Sequence, residues 1–378
     1  MKVVFVSNAL SHHQVPFCDA MYSYDGVEFT YVATKPISEE RLNMGYTDYH
    51  KTKPYVLCSY EGKDDYNKAK RLIHKADFVI CGSVPLGIII GRVLSGKAIF
   101  WASERIYKKK KIGFNNWFIR FITISLANKK NTRLLAASAY ATKDFIKFGL
   151  KKENAYKWGY FPPKEEGNFE KENGSIIWVG RFLGLKHPEL SVELAEKLSE
   201  KGVDFKLYMV GGGEKEEDIK KAVEDKGLQD KVVFKGYLSN EETRKAIGKS
   251  EIMVCTSDFN EGWGAVVNEG MAAGCAVVAS HAMGSVPFLI KDGENGFIFK
   301  SGNADELCEK VLKLLGDREL AKKLGLSAER FIVKEYNGKI AAERLVVLLD
   351  EIKKGNTGFK FDKGVLSKAE IISNDWYK

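Results

Sequence analysis

Two doubly wound α/β domains in tandem are the fold class predicted for this chain. Three observations carry the expectation. Short apolar runs alternate with helical segments, and this alternation stops at a charged stretch and then restarts. A chain of 378 residues that is 44% hydrophobic is also long enough to bury two ordinary cores. In the first half the runs are KVVFVSN (2–8), VEFTYVAT (27–34), DFVICGS (77–83), KAIFWAS (97–103) and RLLAAS (133–138). Each is bounded by turn residues, which is the mark of a strand. Segments 65–75 and 139–149 read as helices between or after them, so a mostly parallel sheet follows.

After Phe161-Pro162-Pro163 comes KEEGNFEKENGS, charged and poor in apolar residues, and 164–174 reads as a linker. The second series is SIIWVG (175–180), FKLYMVG (205–211), KVVFKG (231–236), IMVCTS (252–257), AVVAS (276–280) and GFIF (296–299), with helix candidates such as 187–202 between. The expected domains are therefore 1–163 and 175–355. The remaining segment, 356–378, is expected to form one more helix within VLSKAEIISNDWY (365–377). Ligands of open parallel sheets bind beyond the carboxyl ends of the strands, so loops of both halves are expected to converge on one cleft.

Charge is unevenly spread. Residues 1–163 hold 26 Lys and Arg against 13 Asp and Glu, a balance of +13, while the rest holds 33 against 37, a balance of −4. The basic half calls for an acidic surface or partner. The six cysteines (18, 58, 81, 255, 275 and 308) form no CxxC pair, which predicts small core residues in a reducing compartment and no zinc site. Met1 leads straight into a strand without the pattern of a signal peptide, so a cytosolic chain is expected. The apolar runs LGIIIGRVL and WFIRFITISLA are too short to span a bilayer and are interrupted by Arg.

The stretch DFNEGWGAVVNEGMAAGCAVV (258–278) sets Glu261 and Glu269 eight residues apart around a Gly262-Trp263-Gly264 turn that opens a helix at Ala265. Glycines permit close approach of backbone to ligand, and free amides with the helix dipole favour an anion. Two carboxylates beside an anion suit hydroxyl groups, as a nucleotide sugar supplies. On spacing alone, a capped helix start with one solvated Glu is an equal reading. Arg181 and Lys186 follow the strand at 175–180, where they suit a diphosphate or form an ordinary solvated pair. Gly211 to Gly213 is not GxGxxG and reads as a tight strand-to-helix turn.

Taken in order, IIWVGRFLGLKH, YMVGGGEKEEDIKK, VVFKGYLSNEETRKAI, EGWGAVVNEGMAAGCAVVAS and PFLIKDGENGFIF resemble family-four retaining glycosyltransferases of the GT-B fold. The likeness runs from about 175 to 299. It implies two Rossmann-like domains facing a cleft and a last helix that crosses back to the first domain. Arg181 and Lys186 would hold the donor diphosphate, helped by the amides of 262–265, Glu261 would position sugar hydroxyls, and Glu269 would hold the ribose. It implies no metal and no cofactor beyond a nucleotide diphosphate sugar as substrate.

In the first half, His12 and His13 in the loop after the first strand, and Ser103 and Glu104 after KAIFWA, are acceptor-side candidates. Many family members carry a His near 103–105 that touches the transferred sugar, and this chain has none there. Lys108 to Lys111 precede IGFNNWFIRFITISLANKK, where Phe114, Trp117, Phe118, Phe121 and Ile122 fall on one helical stripe. Gly113, Asn116, Arg120 and Thr123 lie opposite, and Lys129 and Lys130 close the segment. A basic, aromatic helix of this kind lies in an anionic membrane interface, or is a core helix with solvated flanks. With no recognisable module for it, nucleic-acid binding is not expected. The chain is thus read as an enzyme moving a sugar onto a glycan or lipid-linked acceptor in cell-surface polysaccharide synthesis, peripheral on the inner face of the cytoplasmic membrane. A nucleotide-sugar epimerase and a non-catalytic scaffold partner are the rivals.

Overall fold

The structure is a computed structural model describing residues 1–378 except 44–45, 108–113, 129–130, 165–166, 168 and 357, and except the side chains at 40, 43, 114–117, 119–120 and 128. The described residues form two units, Met1–Pro163 with Glu335–Ser373, and Lys164–Lys334 with Asn374–Lys378.

The first unit holds strands β1 (Lys2–Ser7), β2 (Glu28–Ala33), β3 (Val56–Cys58), β4 (Phe78–Cys81), β5 (Ile99–Ser103), β6 (Thr132–Ala136) and β7 (Ala155–Lys157). Its helices are α1 (Val15–Tyr22), α2 (Glu39–Asn43), α3 (Lys63–Lys75), α4 (Leu86–Ser95), α5 (Phe114–Asn128) and α6 (Ala141–Ile146). The seven strands lie in the order β3-β2-β1-β4-β5-β6-β7, and every pairing is parallel. Five of the six residues of β1 are buried, as befits a central strand covered on both faces.

The second unit holds β8 (Glu172–Val179), β9 (Lys206–Val210), β10 (Val232–Gly236), β11 (Ser250–Cys255), β12 (Ala276–Ser280) and β13 (Phe297–Phe299). Its helices are α7 (Pro188–Glu200), α8 (Glu216–Asp225), α9 (Asn240–Lys249), α10 (Ala265–Ala272), α11 (Val286–Leu289), α12 (Ala304–Gly316) and α13 (Arg318–Glu335). The sheet order is β10-β9-β8-β11-β12-β13, again parallel throughout. Its core gathers Trp178, Phe182, Leu194, Leu207, Met209, Val254 and Val278. Five of the six cysteines are buried, and none forms a disulfide.

The chain returns to the first unit at Glu335, and α14 (Gly338–Lys353) packs on α1. This is the crossing helix that the resemblance implies. It lies earlier than 356, where the sequence reading begins the returning segment. A Cβ at Gly338 would stand 2.5 Å from the Phe17 amide nitrogen, so a glycine is needed at that junction. Residues 365–377 do not form the expected helix. The first part of this segment lies along β7 instead: Lys157 N–H donates to Ser367 O, Leu366 N–H to Lys157 O, and Ala369 N–H to Ala155 O. An edge strand presents unpaired backbone groups, and these bonds outweigh any helical preference in so short a segment. Strands β3 and β7 were absent from the sequence reading because three residues are too few to show a period.

Candidate functional site

Each sheet reverses its strand order once, between β1 and β4 in the first and between β8 and β11 in the second. Loops leaving neighbouring strands there diverge to opposite faces and open a crevice beyond the carboxyl ends.

In the second unit that crevice is framed by the turn after β8 and the loop after β11. Backbone and side-chain bonds lock the two together. Thr256 Oγ1 donates to Lys186 O at 2.6 Å and itself accepts from Trp178 Nε1 at 2.9 Å, while Asp258 N–H donates to Leu185 O at 2.9 Å. Lys186 Nζ then forms an ion pair with Glu261 Oε2, and Ser257 Oγ donates to the same oxygen at 3.3 Å. Both partners are largely shielded, their side chains 19% and 15% exposed. Arg181 is exposed on the same turn.

Next to Lys186, His187 adopts the left-handed conformation (φ 49°). Its Nδ1 lies 2.7 Å from Glu189 Oε1 and its Nε2 3.5 Å from Asp258 Oδ2. The Glu189 hydrogen bond raises the imidazole pKa against the opposing effect of burial, with Asp258 adding to the rise. The turn that carries Lys186 is thus held by a clamp of His187 between Glu189 and Asp258. No sequence signal marks His187, since a positive φ at a non-glycine is not readable from pattern.

Helix α10 begins at Gly264, itself left-handed (φ 84°), and no side chain caps it. Glu261 therefore does not cap α10; its carboxylate lies on Lys186. Trp263 is fully buried, its Nε1 donating to Asn268 Oδ1 at 2.8 Å, so what this residue offers a ligand is its backbone. Glu269 lies half-buried in the helix. The Gly211–Gly213 turn is packed hard against β8: a Cβ at Gly211 would stand 2.0 Å from Gly180 O, which makes its role structural.

In the first unit a cavity of about 960 Å³ opens at the β1/β4 switch point. Ser7, Asn8 and Gly82 form its floor, and a Cβ at Gly82 would meet Ser7 Oγ at 2.4 Å. Of the residues expected here, His13, Ser103 and Glu104 line the cavity. The His13 ring lies 6.0 Å from that of Tyr160, whose hydroxyl donates to Glu104 Oε1 at 2.9 Å. His12 is buried behind His13, their ring centroids 3.7 Å apart. Ser103 Oγ donates to Glu104 O. The loop that carries both histidines is tied down by His50, whose Nε2 accepts from Leu10 N–H at 2.9 Å. Burial lowers the His50 pKa, which keeps that nitrogen an acceptor. Sequence reasoning missed His50, Arg41, Tyr46 and Tyr160, which are brought together only by the fold.

Comparison with known proteins places the second unit. Residues 163–331 match the family described as Glycosyl transferases group 1. That likeness spans less than half of the chain and, apart from Pro163, lies within the second unit. Among curated relatives, the alpha-D-kanosaminyltransferase of Streptomyces kanamyceticus is 29% identical over 177 residues, 47% of this chain and 45% of that protein. The poly(ribitol-phosphate) alpha-N-acetylglucosaminyltransferase of Staphylococcus aureus is 28% identical over 172 residues, 46% of this chain and 34% of that one. The chain thus spans half or less of the curated relatives it matches. The Anabaena HepE structure, in complex with UDP and glucose, shares the fold with a TM-score of 0.68 at 15% identity, covering 93% of this chain and all of that one. The two-domain GT-B architecture is therefore that of this chain, and the stretch that resembles group 1 glycosyltransferases holds Arg181, Lys186, Glu261 and Glu269.

Proposed function

We propose that the chain moves a sugar from a nucleoside diphosphate sugar to a hydroxyl of a glycan or lipid-linked acceptor, with retention of configuration, in cell-surface polysaccharide synthesis. The observation that carries this reading is the Lys186–Glu261 pair at the switch point of the second sheet, beside the uncapped start of α10. A cation already held by a carboxylate is poised to exchange that partner for a diphosphate, and the carboxylate then turns to the sugar hydroxyls. Arg181, Lys186 and the α10 amides stabilise charge as the bond between sugar and phosphate breaks. Glu269 holds the ribose. The departing phosphate oxygen takes the acceptor's proton on the same face, so neither a side-chain base nor a metal ion is assigned. Product analysis tests the reading. With UDP-glucose, which a second Anabaena HepE structure holds, or another nucleoside diphosphate sugar as donor, NMR of the product is expected to show the donor's own anomeric configuration, and an inverted product contradicts it.

Contact with an anionic membrane is proposed through α5. Phe118, Ile122 and Leu126 stand at intervals of four and are 48%, 39% and 40% exposed, with Phe121 beside them at 36%, so they form one apolar ridge. Thr123 and Ile124 of the same helix turn inward to line the cavity. The flanking lysines at 108–111, 129 and 130, and the side chains of Phe114 and Trp117, lie outside the described residues. Sequence 105–152 holds 13 Lys and Arg against the single acid Asp144, which suits an anionic headgroup layer. No described helix is long and apolar enough to cross a membrane. The protein is expected to float with anionic vesicles at low salt and to be released at high salt. Phe118→Ser with Ile122→Ser should abolish flotation, and no binding at low salt removes the membrane contact.

A further inference from the structure

Among the described residues, His187 is one of two non-glycines with a positive φ, the other being Leu366. Its φ of 49° and ψ of 53° are left-handed, and Pro188 follows directly. Both facts count against a side chain here. A Cβ crowds the backbone in this conformation, and a proline pushes the residue before it toward extended geometry. What the imidazole touches has to offset that strain.

Both ring nitrogens face carboxylates. Nδ1 lies 2.7 Å from Glu189 Oε1 in the first turn of α7, and Nε2 lies 3.5 Å from Asp258 Oδ2 in the loop after β11. A carboxylate only accepts, whereas a neutral imidazole has one N–H and one lone pair, so the neutral ring turns its lone pair on one of the two. Only the imidazolium satisfies both. Other charges stand around this group. Glu189 Oε2 also lies 3.3 Å from Lys215 Nζ, Arg181 and Lys186 share the turn, and Lys186 pairs with Glu261. Burial would raise the Glu189 carboxyl, yet His187, its own backbone N–H and Lys215 carry it down to about 2, so it stays ionised through neutral pH.

We propose that protonated His187 is a positioning residue of the donor crevice, joining the turn that carries Lys186 to the loop that carries Glu261, so that donor affinity falls as the imidazole loses its proton. The inference rests on the glycosyltransferase reading above and adds a proton-dependent control to that site. Because the Glu189 hydrogen bond raises the imidazole pKa, with Asp258 adding to the rise, the clamp contributes in full below the ordinary value of 6.5. Its contribution is lost as pH rises through the folded-state value. By linkage, a bound donor favours the protonated ring to the same extent.

His187→Gly separates the clamp from the turn, since glycine takes this backbone conformation without strain and removes the imidazole. Melting of the full chain from about pH 6 to about pH 9 is expected to show a wild-type advantage over the variant that shrinks as pH rises. Over the same range, calorimetric dissociation constants for UDP-glucose, UDP-N-acetylglucosamine and GDP-mannose, whose diphosphates do not titrate there, are measured in both proteins. For at least one of these the constant should rise about fivefold or more in the wild type and stay nearly level in the variant. Glu189→Gln removes one of the two carboxylates, so its transition should fall at lower pH than that of the wild type, a displacement that a merely structural turn residue does not produce. Parallel pH courses in wild type and His187→Gly, or an unmoved transition in Glu189→Gln, overturn the proposal. If none of the three donors binds the wild type at any pH, the glycosyltransferase reading fails and the donor role falls with it, while the melting curves decide the clamp separately.

Discussion

Lys186→Ala is expected to lower sugar transfer by about 10²–10³-fold, the scale seen when one preorganised group facing developing charge is removed. The ammonium lies on the turn between β8 and α7, and that turn is held by bonds other than its own: Thr256 Oγ1 to Lys186 O, Asp258 N–H to Leu185 O, and the His187 clamp. The fold should therefore survive the loss. Glu261 would keep the Ser257 hydroxyl, and solvent reaches it in part. Glu261→Gln makes the complementary test. It frees Lys186 from its carboxylate, so nucleoside diphosphate affinity should hold or rise while transfer falls. Near-normal turnover in Lys186→Ala, measured on folded protein, removes the diphosphate role.

Gly264→Val is expected to destabilise the second unit by roughly 2–5 kcal/mol, from about 1–2 for a left-handed non-glycine and about 1–3 for overpacking. Gly264 has φ 84°, and a Cβ there would lie 2.4 Å from Met283 Cε and 3.4 Å from Glu261 Cγ. The clash displaces the start of α10 and pushes on the carboxylate paired with Lys186, so donor binding should fall with stability. Gly264→Ala keeps the left-handed strain but adds no branched methyls, and the Met283 end can swing away, so its loss should be smaller. Thermal melting of both variants checks the order; a Val variant that melts with the wild type contradicts the geometry.

The alternation of strands and helices was legible because each parallel strand is an apolar run with turn residues at its ends, as in KVVFVSN and AVVAS. Arg181, Lys186 and Glu261 were legible as candidates because each sits just beyond such a run. Their partnership was not, since Lys186 and Glu261 are 75 residues apart in sequence and only the switch point of the sheet joins them. Trp263 stood in the motif like a ligand contact, yet burial against Asn268 decides its side chain. Arg92 seemed merely to interrupt an apolar run; the fold buries it to donate to the carbonyls of Ala76, Asp77 and Ala98. Such residues take their meaning from carbonyls left open by other elements, which no local pattern shows. The cavity was half-visible: His13, Ser103 and Glu104 follow strands, whereas Arg41 and Tyr46 come from the excursion after β2.

A thermal-shift titration across nucleoside diphosphates and their sugars tests the central claim, that the second unit grips a nucleoside diphosphate through Arg181, Lys186 and the start of α10. At a ligand concentration about 100 times its dissociation constant, binding adds about 2.7 kcal/mol of stability, or roughly 5–10 °C for a domain of this size. At least one nucleoside diphosphate is expected to give that shift in the wild type and to lose most of it in Lys186→Ala. No shift with any of them, or an equal shift in the variant, contradicts the account.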